Sequence, residues 1–575
     1  MISTKKHIGQ LAAILLSKGI NDIILSPGSR NGPLIHTFAG SGLFHCLSIA
    51  DERSAAYFAI GLAQGRRRPV VLVCTSGTAA LNYGPGIAEA FYLNVPLIVL
   101  TADRPPWWLG QAESQCIHQT HLYRDFTKKE VTLPLGESEE ELWYAGRLIN
   151  ECVNLSVSGN PGPVHLNIPL EEPLHELTAH ALPPAQVIET APVQSVIADE
   201  EFERLTSAFN KAGQVMIVAG QQFPDAALEN DLAELAARSG VVVLREHLSN
   251  LNHPRFCGNI DLLMPTLKKE NRKTYRPELL ISFGGQLVSK SLKQFLRKNK
   301  PDAHWHLTLS NEHVDTYQSL TKVICQNAGS FFNRLLNKAV AKDHTYLQRW
   351  KEKEQEVVRK RDQFIAQAEF CDLKVFRLIG KAIPPESVIH PGNSSPVRYA
   401  LMDNAVRGAL YMGNRGTAGI DGVLSTAAGF AFSSEKLNTV ILGDLSFFYD
   451  SNALWNHYVK KNLRVVVINN RGGNIFGMIK GTDQSPAFET YFLTENTITA
   501  DGIAKTFGLD YFQAANEEEL DAGLQRLYSS RRGRAALLEV FTDAAVNSRV
   551  FRELFSTVGG NGERKQKKET GSSEF

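Results

Sequence analysis

The chain has 575 residues, of which 43% are hydrophobic and 21% charged, proportions that are ordinary for a globular protein with a large core. Its 61 lysines and arginines nearly balance 60 aspartates and glutamates, so a net charge of +1 provides no global field for nucleic acid or an anionic membrane. The seven scattered cysteines contain no C-x-x-C pair and no apolar stretch reaches membrane-spanning length, which argues against a disulfide framework and a transmembrane segment. We therefore expect a cytoplasmic protein of several domains, in which any anion site is a local cluster of cations.

Short apolar runs alternate with helical patterns along the first 180 residues. We interpret four of these runs as buried strands: Ile23 to Leu25, Pro69 to Cys74, Pro96 to Leu100 and Val164 to Ile168. Because such alternation is typical of strands connected by helices, it predicts a parallel, doubly wound sheet. The stretch that follows, 173–192, is rich in proline, alanine and threonine and is predicted to be a linker.

The middle of the chain repeats the α/β pattern. Its predicted strands are Val215 to Gly220, Val241 to Leu244, Leu279 to Phe283 and Trp305 to Leu309. A strongly charged segment, Lys342 to Phe364, comes next and predicts an exposed helix that bridges two domains.

A third α/β segment completes the pattern. Its predicted strands are Val388 to Ile389, Leu410 to Met412, Thr439 to Leu442, Arg464 to Ile468 and Ala535 to Val540. The predicted fold class is therefore α/β, with three doubly wound parallel-sheet domains at residues 1–180, 195–340 and 365–558. Residues 559–575 are predicted to form a disordered tail, with a basic interaction tail as the alternative.

Two polar motifs come directly after apolar runs of the third segment. Gly443-Asp444-Leu445-Ser446 follows one run, and Asn470-Arg471-Gly472-Gly473 follows the next. The ends of neighbouring parallel strands are where open α/β sheets bind ligands. A carboxylate, an amide oxygen and a backbone carbonyl are hard donors that suit Mg²⁺ or Ca²⁺. The alternative is a pair of glycine-rich turns without a ligand.

A glutamate stands at a predicted helix start in the first segment. Asp51 suits the N-cap, and Glu52 precedes a run of small apolar residues that tends to bury its carboxylate. The alternative is a surface acid that complements the helix dipole. The chain contains no G-x-x-x-x-G-K-[ST] and no G-x-G-x-x-G after a strand, which disfavours a P-loop NTPase and a Rossmann dehydrogenase.

Further strings occur on predicted strand-end loops. They are Ser26-Pro27-Gly28-Ser29-Arg30, Thr75-Ser76-Gly77-Thr78, Thr101-Ala102-Asp103-Arg104-Pro105-Pro106, Gly392-Asn393-Ser394 and Asn414-Arg415-Gly416-Thr417-Ala418-Gly419-Ile420-Asp421-Gly422. Together with the Glu52 and Asp444 motifs, they resemble the thiamine-diphosphate enzymes, and among these the 2-succinyl-5-enolpyruvyl-6-hydroxy-3-cyclohexene-1-carboxylate (SEPHCHC) synthases of menaquinone biosynthesis. The resemblance spans about residues 5–555 and is weakest in the middle domain. Leu445 departs from the glycine of most thiamine-diphosphate enzymes but is normal for this family.

The resemblance implies a pyrimidine domain, a middle domain and a diphosphate domain that bind thiamine diphosphate. It implies that Glu52 is catalytic and hydrogen-bonds the aminopyrimidine ring of the cofactor. It also implies that Mg²⁺, with Mn²⁺ as an alternative, is bound by Asp444, Asn470 and Gly472. The other implied cofactor-binding residues are Gly443, Leu445, Ser446, Ile420, Ile475 and Phe476. Because different subunits hold the two ends of one cofactor in these enzymes, the resemblance implies a homodimer or homotetramer with sites at the subunit interface.

The reaction implied by the resemblance joins two polyanions. 2-Oxoglutarate loses CO₂, and the succinyl carbanion equivalent adds in conjugate fashion to isochorismate. Arginine suits such substrates because its planar guanidinium binds carboxylates in a bidentate manner. The implied substrate-binding residues are Ser29, Arg30, Arg104, Gln115, Lys290, Ser394, Arg398 and Arg415, among which Lys290 has the least specific flanking sequence.

Two other functions fit part of the pattern. One is another thiamine-diphosphate 2-oxoacid decarboxylase or carboligase, such as an acetohydroxyacid synthase, which the several arginines disfavour. The other is a non-catalytic binding protein of the same fold, which the joint presence of Glu52, Asp444 and Asn470 disfavours. Taken singly, each arginine is better explained without a ligand: Arg104 as a solvated loop charge, Arg415 as a helix C-terminal cap and Arg30 as the partner of a surface acid. Their joint placement on glycine-rich strand-end loops is what favours a binding site.

Overall fold

Three parallel β-sheets flanked by helices form the structure, a computed structural model that describes residues 1–191, 193, 195–403, 408–478, 482, 484–529 and 533–559. The predicted α/β fold class is confirmed. Within these residues no helix is both long and apolar enough to cross a membrane. The domain limits 1–180, 195–340 and 365–558 stay a prediction, and of the predicted tail only Gly559 lies within the described residues.

The first domain contains eight strands, six of which form one sheet. Its strands are β1 (Ile2–Ser3), β2 (Asp22–Leu25), β3 (His45–Ser48), β4 (Val70–Cys74), β5 (Leu97–Asp103), β6 (Glu130–Thr132), β7 (Val164–Pro169) and β8 (Leu177–Thr178). Its helices are α1 (Lys6–Ser17), α2 (Gly32–Ser41), α3 (Glu52–Arg66), α4 (Thr78–Asn82), α5 (Gly84–Tyr92) and α6 (Glu139–Val157). The sheet order is β3-β2-β4-β5-β7-β6, all parallel, and β1 pairs with β8 in an antiparallel manner.

The middle domain contains a five-stranded parallel sheet. Its strands are β9 (Val215–Ala219), β10 (Val242–Arg245), β11 (Leu279–Phe283), β12 (Ala303–Thr308) and β13 (Lys322–Cys325), in the order β10-β9-β11-β12-β13. Its helices are α7 (Asp199–Lys211), α8 (Ala226–Ser239), α9 (Ile260–Leu263), α10 (Arg272–Tyr275), α11 (Lys290–Lys298) and α12 (Ala328–Leu336), and α13 (Thr345–Gln367) leads to the third domain.

The third domain has a second six-stranded parallel sheet. Its strands are β14 (Val388–Pro391), β15 (Leu410–Tyr411), β16 (Asn438–Gly443), β17 (Leu463–Asn469), β18 (Asp510–Ala514) and β19 (Ala536–Phe541), in the order β15-β14-β16-β17-β19-β18. Its helices are α14 (Asp372–Ala382), α15 (Ser395–Met402), α16 (Val423–Ser433), α17 (Asp444–Tyr449), α18 (Asp501–Thr506), α19 (Glu517–Ser529) and α20 (Ala544–Val558).

Each strand predicted from an apolar run is present. Besides the two-residue strands β1 and β8, the structure adds four strands that the runs do not predict. These are β3, β6, β13 and β18, and each lies at one edge of its sheet. A central strand of a parallel sheet is covered on both faces and is therefore apolar throughout. An edge strand is partly exposed, and β3 (His-Cys-Leu-Ser) accordingly lacks a continuous apolar run.

The bridging helix predicted at 342–364 is present as α13, but the prediction that it is exposed is wrong. It packs on β10 of the middle domain and on α20 of the third. Trp350 is fully buried on its inner face, whereas Lys353 and Lys360 form ion pairs with Glu356 on its outer part. The charged composition of the segment describes one face of the helix only.

Helices α3 and α16 join the first and third domains, and the backbones of the two helices lie in close contact. A Cβ atom on Gly61 would lie 1.9 Å from the carbonyl oxygen of Thr426, and one on Gly429 would lie 2.0 Å from that of Phe58. Only glycine fits such close approaches. One apolar cluster consequently continues from the first sheet through both helices into the third sheet.

We predict that Gly429→Ala lowers the melting temperature, because overpacking of this kind costs about 1–3 kcal/mol. Gly502 in α18 is the matched control, since no atom lies within 4 Å of the position that its Cβ would take. Gly502→Ala is expected to leave the melting temperature unchanged or raise it slightly, because glycine costs about 0.5–1 kcal/mol in a helix. Equal melting temperatures in thermal unfolding of the two variants would contradict the close packing.

Candidate active site

The Asp444 and Asn470 motifs lie side by side at the carboxyl edge of the third sheet. Strands β16 and β17 are paired so that Gly443 is opposite Ile468, and α17 begins at Asp444. The Asp444 carboxylate is only 1% exposed. It accepts a hydrogen bond from the Asn496 amide at 3.1 Å and another from the N–H of Gly472. Burial raises the pKa of Asp444 to about 6, against the effect of these donors.

The amide of Asn470 has one end bound and one end free. Its nitrogen donates to Asp372 Oδ2 at 2.9 Å, whereas its oxygen is buried and has no hydrogen-bond partner among the residues that the structure describes. Asp372 is itself held by Thr542 at 2.5 Å and Asn547 at 2.8 Å. An unsatisfied buried oxygen costs about 1–3 kcal/mol, which a bound cation would offset.

Gly472 completes this edge and must be a glycine. Its φ is +145°, and a Cβ atom would lie 2.3 Å from the carbonyl oxygen of Leu493. Within the described ranges no group of three or more His, Cys, Asp or Glu side chains is positioned to hold a metal. A metal at this edge would therefore be bound by one carboxylate, one amide oxygen and a carbonyl, a donor set that suits Mg²⁺.

The other predicted cofactor residues surround the same strand ends. No atom lies within 4 Å of the position that a Cβ on Gly443 would take, so the edge is open there. Ser446 is buried and its hydroxyl donates to the carbonyl of Ile420 at 2.9 Å, which ties the Ile420 loop to α17. Leu445, Ile475 and Phe476 are partly buried.

Glu52 is the first residue of α3, as predicted, and its neighbours fix it against the third domain. Asp51 caps the helix by accepting from the Ser54 N–H at 3.1 Å and also accepts from Asn452 at 2.6 Å. Arg53 donates to the carbonyl of Tyr449, the last residue of α17, at 2.7 Å. The Glu52 carboxyl is partly buried, and burial raises its pKa, as does the charge of Asp51. A carboxyl of this kind retains its proton closer to neutral pH than an exposed glutamate does.

The predicted first-domain substrate residues form a cationic group. Arg30 is buried and donates to the carbonyl of Leu170 at 3.0 Å, and burial together with the charge of Arg104 lowers its pKa. Arg104 donates to the carbonyl of Ser114 at 2.9 Å, and its Nε is buried without a partner in the described part of the chain. Ser29 and Gln115 are exposed, and Gln115 has a φ of +50°.

A second cationic group lies on the third domain. Ser394, with a φ of +74°, precedes α15, and Arg398 follows one turn later. Arg415 donates to Asn393 Oδ1 at 2.6 Å, and burial and the charge of Arg398 lower its pKa. The Nε atoms of Arg398 and Arg415 are both buried and lack hydrogen-bond partners among the described residues. Lys290 is exposed at the first position of α11 in the middle domain.

Within one chain the two groups are separate. The charges that act on Arg30 are those of Arg104, Glu172, Glu113 and Asp103, whereas the charges that act on Arg415 are those of Glu246, Arg398 and Glu89, so that the two sets share no residue. The structure thus brings Asp444, Asn470 and Gly472 together at the carboxyl edge of the third sheet. It also places Arg30 near Arg104 and Arg398 near Arg415, but within one chain it does not unite these groups.

Comparison with known proteins identifies the chain as a thiamine enzyme. Family models match it in three successive segments: the N-terminal TPP binding domain of thiamine pyrophosphate enzymes at residues 7–122, their middle domain at 186–390 and their C-terminal TPP binding domain at 396–540. The chain is 38% identical over 557 residues to the SEPHCHC synthase of Phocaeicola vulgatus, an alignment that covers 96% of this chain and 99% of that protein. It is 40% identical over 545 residues to the SEPHCHC synthase of Desulfotalea psychrophila, covering 94% and 98%. The chain belongs to the SEPHCHC synthase family of thiamine pyrophosphate enzymes.

This family membership confirms the resemblance found in the sequence motifs, but the motifs leave out several residues that position the site. Glu89 of α5 is buried, and its carboxylate accepts from the N–H groups of Gly416 at 2.8 Å and Thr417 at 2.7 Å, directly after Arg415. Gln221 and Gln286 of the middle domain donate to the carbonyls of Gly413 and Gly416 at 2.7 and 2.6 Å. These residues carry no motif, because their partners are distant in sequence.

In the first domain a buried glutamine that no motif indicates supports the strand ends in a similar way. Gln119 is buried; it accepts from the Gly77 N–H at 3.0 Å and donates to the Ala102 carbonyl at 3.1 Å, which links the loop after β4 to the end of the neighbouring strand β5. The hydroxyls of Thr75 and Ser76 are buried beside this link and have no partner among the residues described. They belong to a motif already noted in the sequence, and their unsatisfied hydroxyls mark them as candidate ligand contacts.

We predict that Asn470→Ala weakens the Mg²⁺-dependent binding of thiamine diphosphate on the order of tenfold or more, because it removes the free amide oxygen. Asn462→Ala is the matched control: Asn462 precedes β17 at the opposite end, and its side-chain amide donates to the carbonyls of Ala431, Ser434 and Lys436. Cofactor titration at several Mg²⁺ concentrations, followed by fluorescence, measures both variants. Unchanged affinity in Asn470→Ala would mean that the motif is only a turn.

Proposed function

We propose that this protein catalyses the thiamine-diphosphate-dependent decarboxylation of 2-oxoglutarate and the conjugate addition of the succinyl unit to isochorismate, giving SEPHCHC and CO₂ in menaquinone biosynthesis. The observation that carries the assignment to these substrates is the presence of two arginine pairs, Arg30 with Arg104 and Arg398 with Arg415, in which burial and the charge of the neighbour lower the pKa of Arg30 and of Arg415. Two pairs of buried or half-buried guanidinium groups suit two polyanionic substrates. Incubation with thiamine diphosphate, Mg²⁺ and both substrates, followed by isochorismate loss, tests the proposal.

The cofactor site that we propose uses the edge of the third sheet. Asp444, Asn470 and the Gly472 carbonyl would hold Mg²⁺, and Gly443, Ser446, Ile420, Leu445, Ile475 and Phe476 would line the cofactor. When bound, thiamine diphosphate supplies the nucleophilic carbon on which a 2-oxo acid is decarboxylated. The open space at Gly443 and the free oxygen of Asn470 support this assignment.

Glu52 is the residue that we propose moves a proton. Burial raises the pKa of its carboxyl above that of an exposed glutamate, which is the direction of shift that suits an acid–base group. Its helix position gives it a fixed direction, because Asp51 and Arg53 on either side are bound to residues of the third domain.

The arginines are proposed to divide the two substrates. Arg104 and Gln115, on loops of the first domain, would bind the carboxylates of isochorismate, with Arg30 and Ser29 beside them. Arg398, Arg415 and Ser394 would bind 2-oxoglutarate near the cofactor, and Lys290 would approach from the middle domain. Because the two groups are separate within one chain, we propose that the complete site forms at the interface of a homodimer or homotetramer in the cytoplasm.

Glu52→Gln is predicted to reduce turnover by a factor on the order of 10²–10⁴, the usual contribution of an acid–base group, while cofactor affinity and melting temperature stay near the wild-type values. Glu139→Gln is the matched control, because Glu139 is the exposed first residue of α6 in the same domain. Steady-state turnover and cofactor titration measure both variants. Activity of Glu52→Gln within a few-fold of wild type would remove Glu52 from the mechanism.

Arg104→Ala is predicted to impair isochorismate consumption more than CO₂ release, and Arg398→Ala to impair CO₂ release first. Loss of one partner of a buried charge-assisted pair costs about 2–4 kcal/mol, enough to separate the half-reactions kinetically. Single-turnover release of CO₂ from 2-oxoglutarate is compared with consumption of isochorismate, and Arg124→Ala, an exposed arginine of the first domain, serves as control. Equal losses of both steps in both variants would refute this division without refuting the family assignment.

A further inference from the structure

A buried glutamate of the middle domain holds the loop that leads to Lys290. Glu246 directly follows β10 and is 2% exposed. Both oxygens of its carboxylate accept backbone hydrogen bonds at 2.7 Å, one from the N–H of Val288 and one from the N–H of Ser289. Bonds from two N–H groups to a carboxylate are short and charge-assisted, so they define where this loop lies relative to the sheet.

The loop held by Glu246 begins α11. Ser289 is the N-cap: its hydroxyl accepts from the Leu292 N–H at 3.1 Å and donates to Asp261 Oδ1 at 2.6 Å. Lys290 is the next residue, and its ammonium makes no hydrogen bond or ion pair with any other residue in the described ranges. Its backbone is therefore fixed while its charged end remains available for a ligand.

Glu246 also lies among the charges of the second cationic group. Its carboxylate interacts electrostatically with Arg415, with Lys293 of α11, with Asp261 and with Tyr317. Burial raises its pKa to about 7, against the effect of the two N–H donors and of Lys293. Because each oxygen accepts a bond from an N–H group, these two bonds favour the ionised form of the carboxyl.

We propose that Glu246 is a positioning residue of the substrate site, which fixes Lys290 at the start of α11 and so determines the affinity for the substrate carboxylate that Lys290 binds. This inference rests on the proposed function. A role in folding alone is the competing explanation, and it predicts a loss of stability without a selective loss of substrate affinity.

The decisive variant is Glu246→Gln, which keeps the shape but offers one acceptor oxygen and directs an amide N–H at the other backbone donor. We expect a rise in KM on the order of tenfold, for the same substrate whose KM is raised by Lys290→Ala, with kcat changed much less. Glu246→Asp, which retains two acceptor oxygens on a shorter side chain, should fall between wild type and Glu246→Gln. Glu246→Asp provides a second test of the inference if Glu246→Gln folds poorly.

The matched control is Glu354→Gln. Glu354 is also a buried glutamate that accepts a backbone hydrogen bond, from Gly258 at 2.6 Å; it pairs with Lys351 and, within the described residues, forms no hydrogen bond or ion pair with Arg415 or Lys290. Hydrogen–deuterium exchange should accelerate at 287–292 in Glu246→Gln and near 258 in Glu354→Gln, and only the first variant should change KM.

The double variant Glu246→Gln/Lys290→Ala separates positioning from a general defect. If Glu246 acts through Lys290, the double variant is no more impaired in KM than Lys290→Ala alone. Losses that multiply, or a Glu246→Gln enzyme with unchanged KM for both substrates, would overturn the inference. Wild-type protein that fails to consume isochorismate would instead overturn the proposed function, whereas exchange at 287–292 would still report the contact of Glu246 with the loop.

Discussion

The contact between α3 and α16 is the constraint on which the rest of the molecule depends. Gly61 and Gly429 let the backbones of the two helices meet, and Tyr57 and Ser54 of α3 add hydrogen bonds to Asp421 at 3.0 Å and Ser425 at 3.0 Å. Because α3 starts at Glu52, and because α16 follows the Ile420 loop, the same contact fixes the position of both. A side chain larger than hydrogen at either glycine would move a candidate catalytic acid and a cofactor loop together.

Buried carboxylates that accept backbone N–H groups orient the loops of the site. Glu89 holds the residues after Arg415 and Glu246 holds the residues before Lys290 through backbone N–H groups, whereas Asp372 accepts from the side-chain amide of Asn470 and so turns its oxygen away. In each case the carboxylate belongs to a different element from the loop that it holds. Such bonds use the charge of an acid to fix a backbone, and the cationic side chains on those loops are left for ligands.

The central strands, and the sheet edge where Asp444 and Asn470 lie, could be predicted from the sequence, whereas the residues that support them could not. A strand buried on both faces must be apolar, and a ligand-binding strand end needs particular residues, so β16, β17, Asp444 and Asn470 were all predictable. Edge strands such as β18 are half-exposed and carry no such pattern. The carboxylate contacts could not be predicted either, because Glu89 and Thr417 are 328 positions apart and no local rule connects them. The buried face of α13 could not be predicted either, because lysines and glutamates surround Trp350 in the sequence.

Under the proposed function, the paired arginines would let a chain with almost no net charge bind polyanions. Burial, together with the charge of the neighbouring arginine, lowers the pKa of Arg30 and of Arg415. The acids nearby oppose this effect: Glu172 and Glu113 form ion pairs with Arg30 and Arg104, and Glu246 and Glu89 raise the pKa of Arg415 although they are already bound to backbone N–H groups. Because burial has removed water from these guanidinium groups, an incoming carboxylate would bind them more tightly than a neutral analogue of the same shape. Such a local arrangement of charge does not appear in the composition, and under the proposed function it is what would make the site selective for anions.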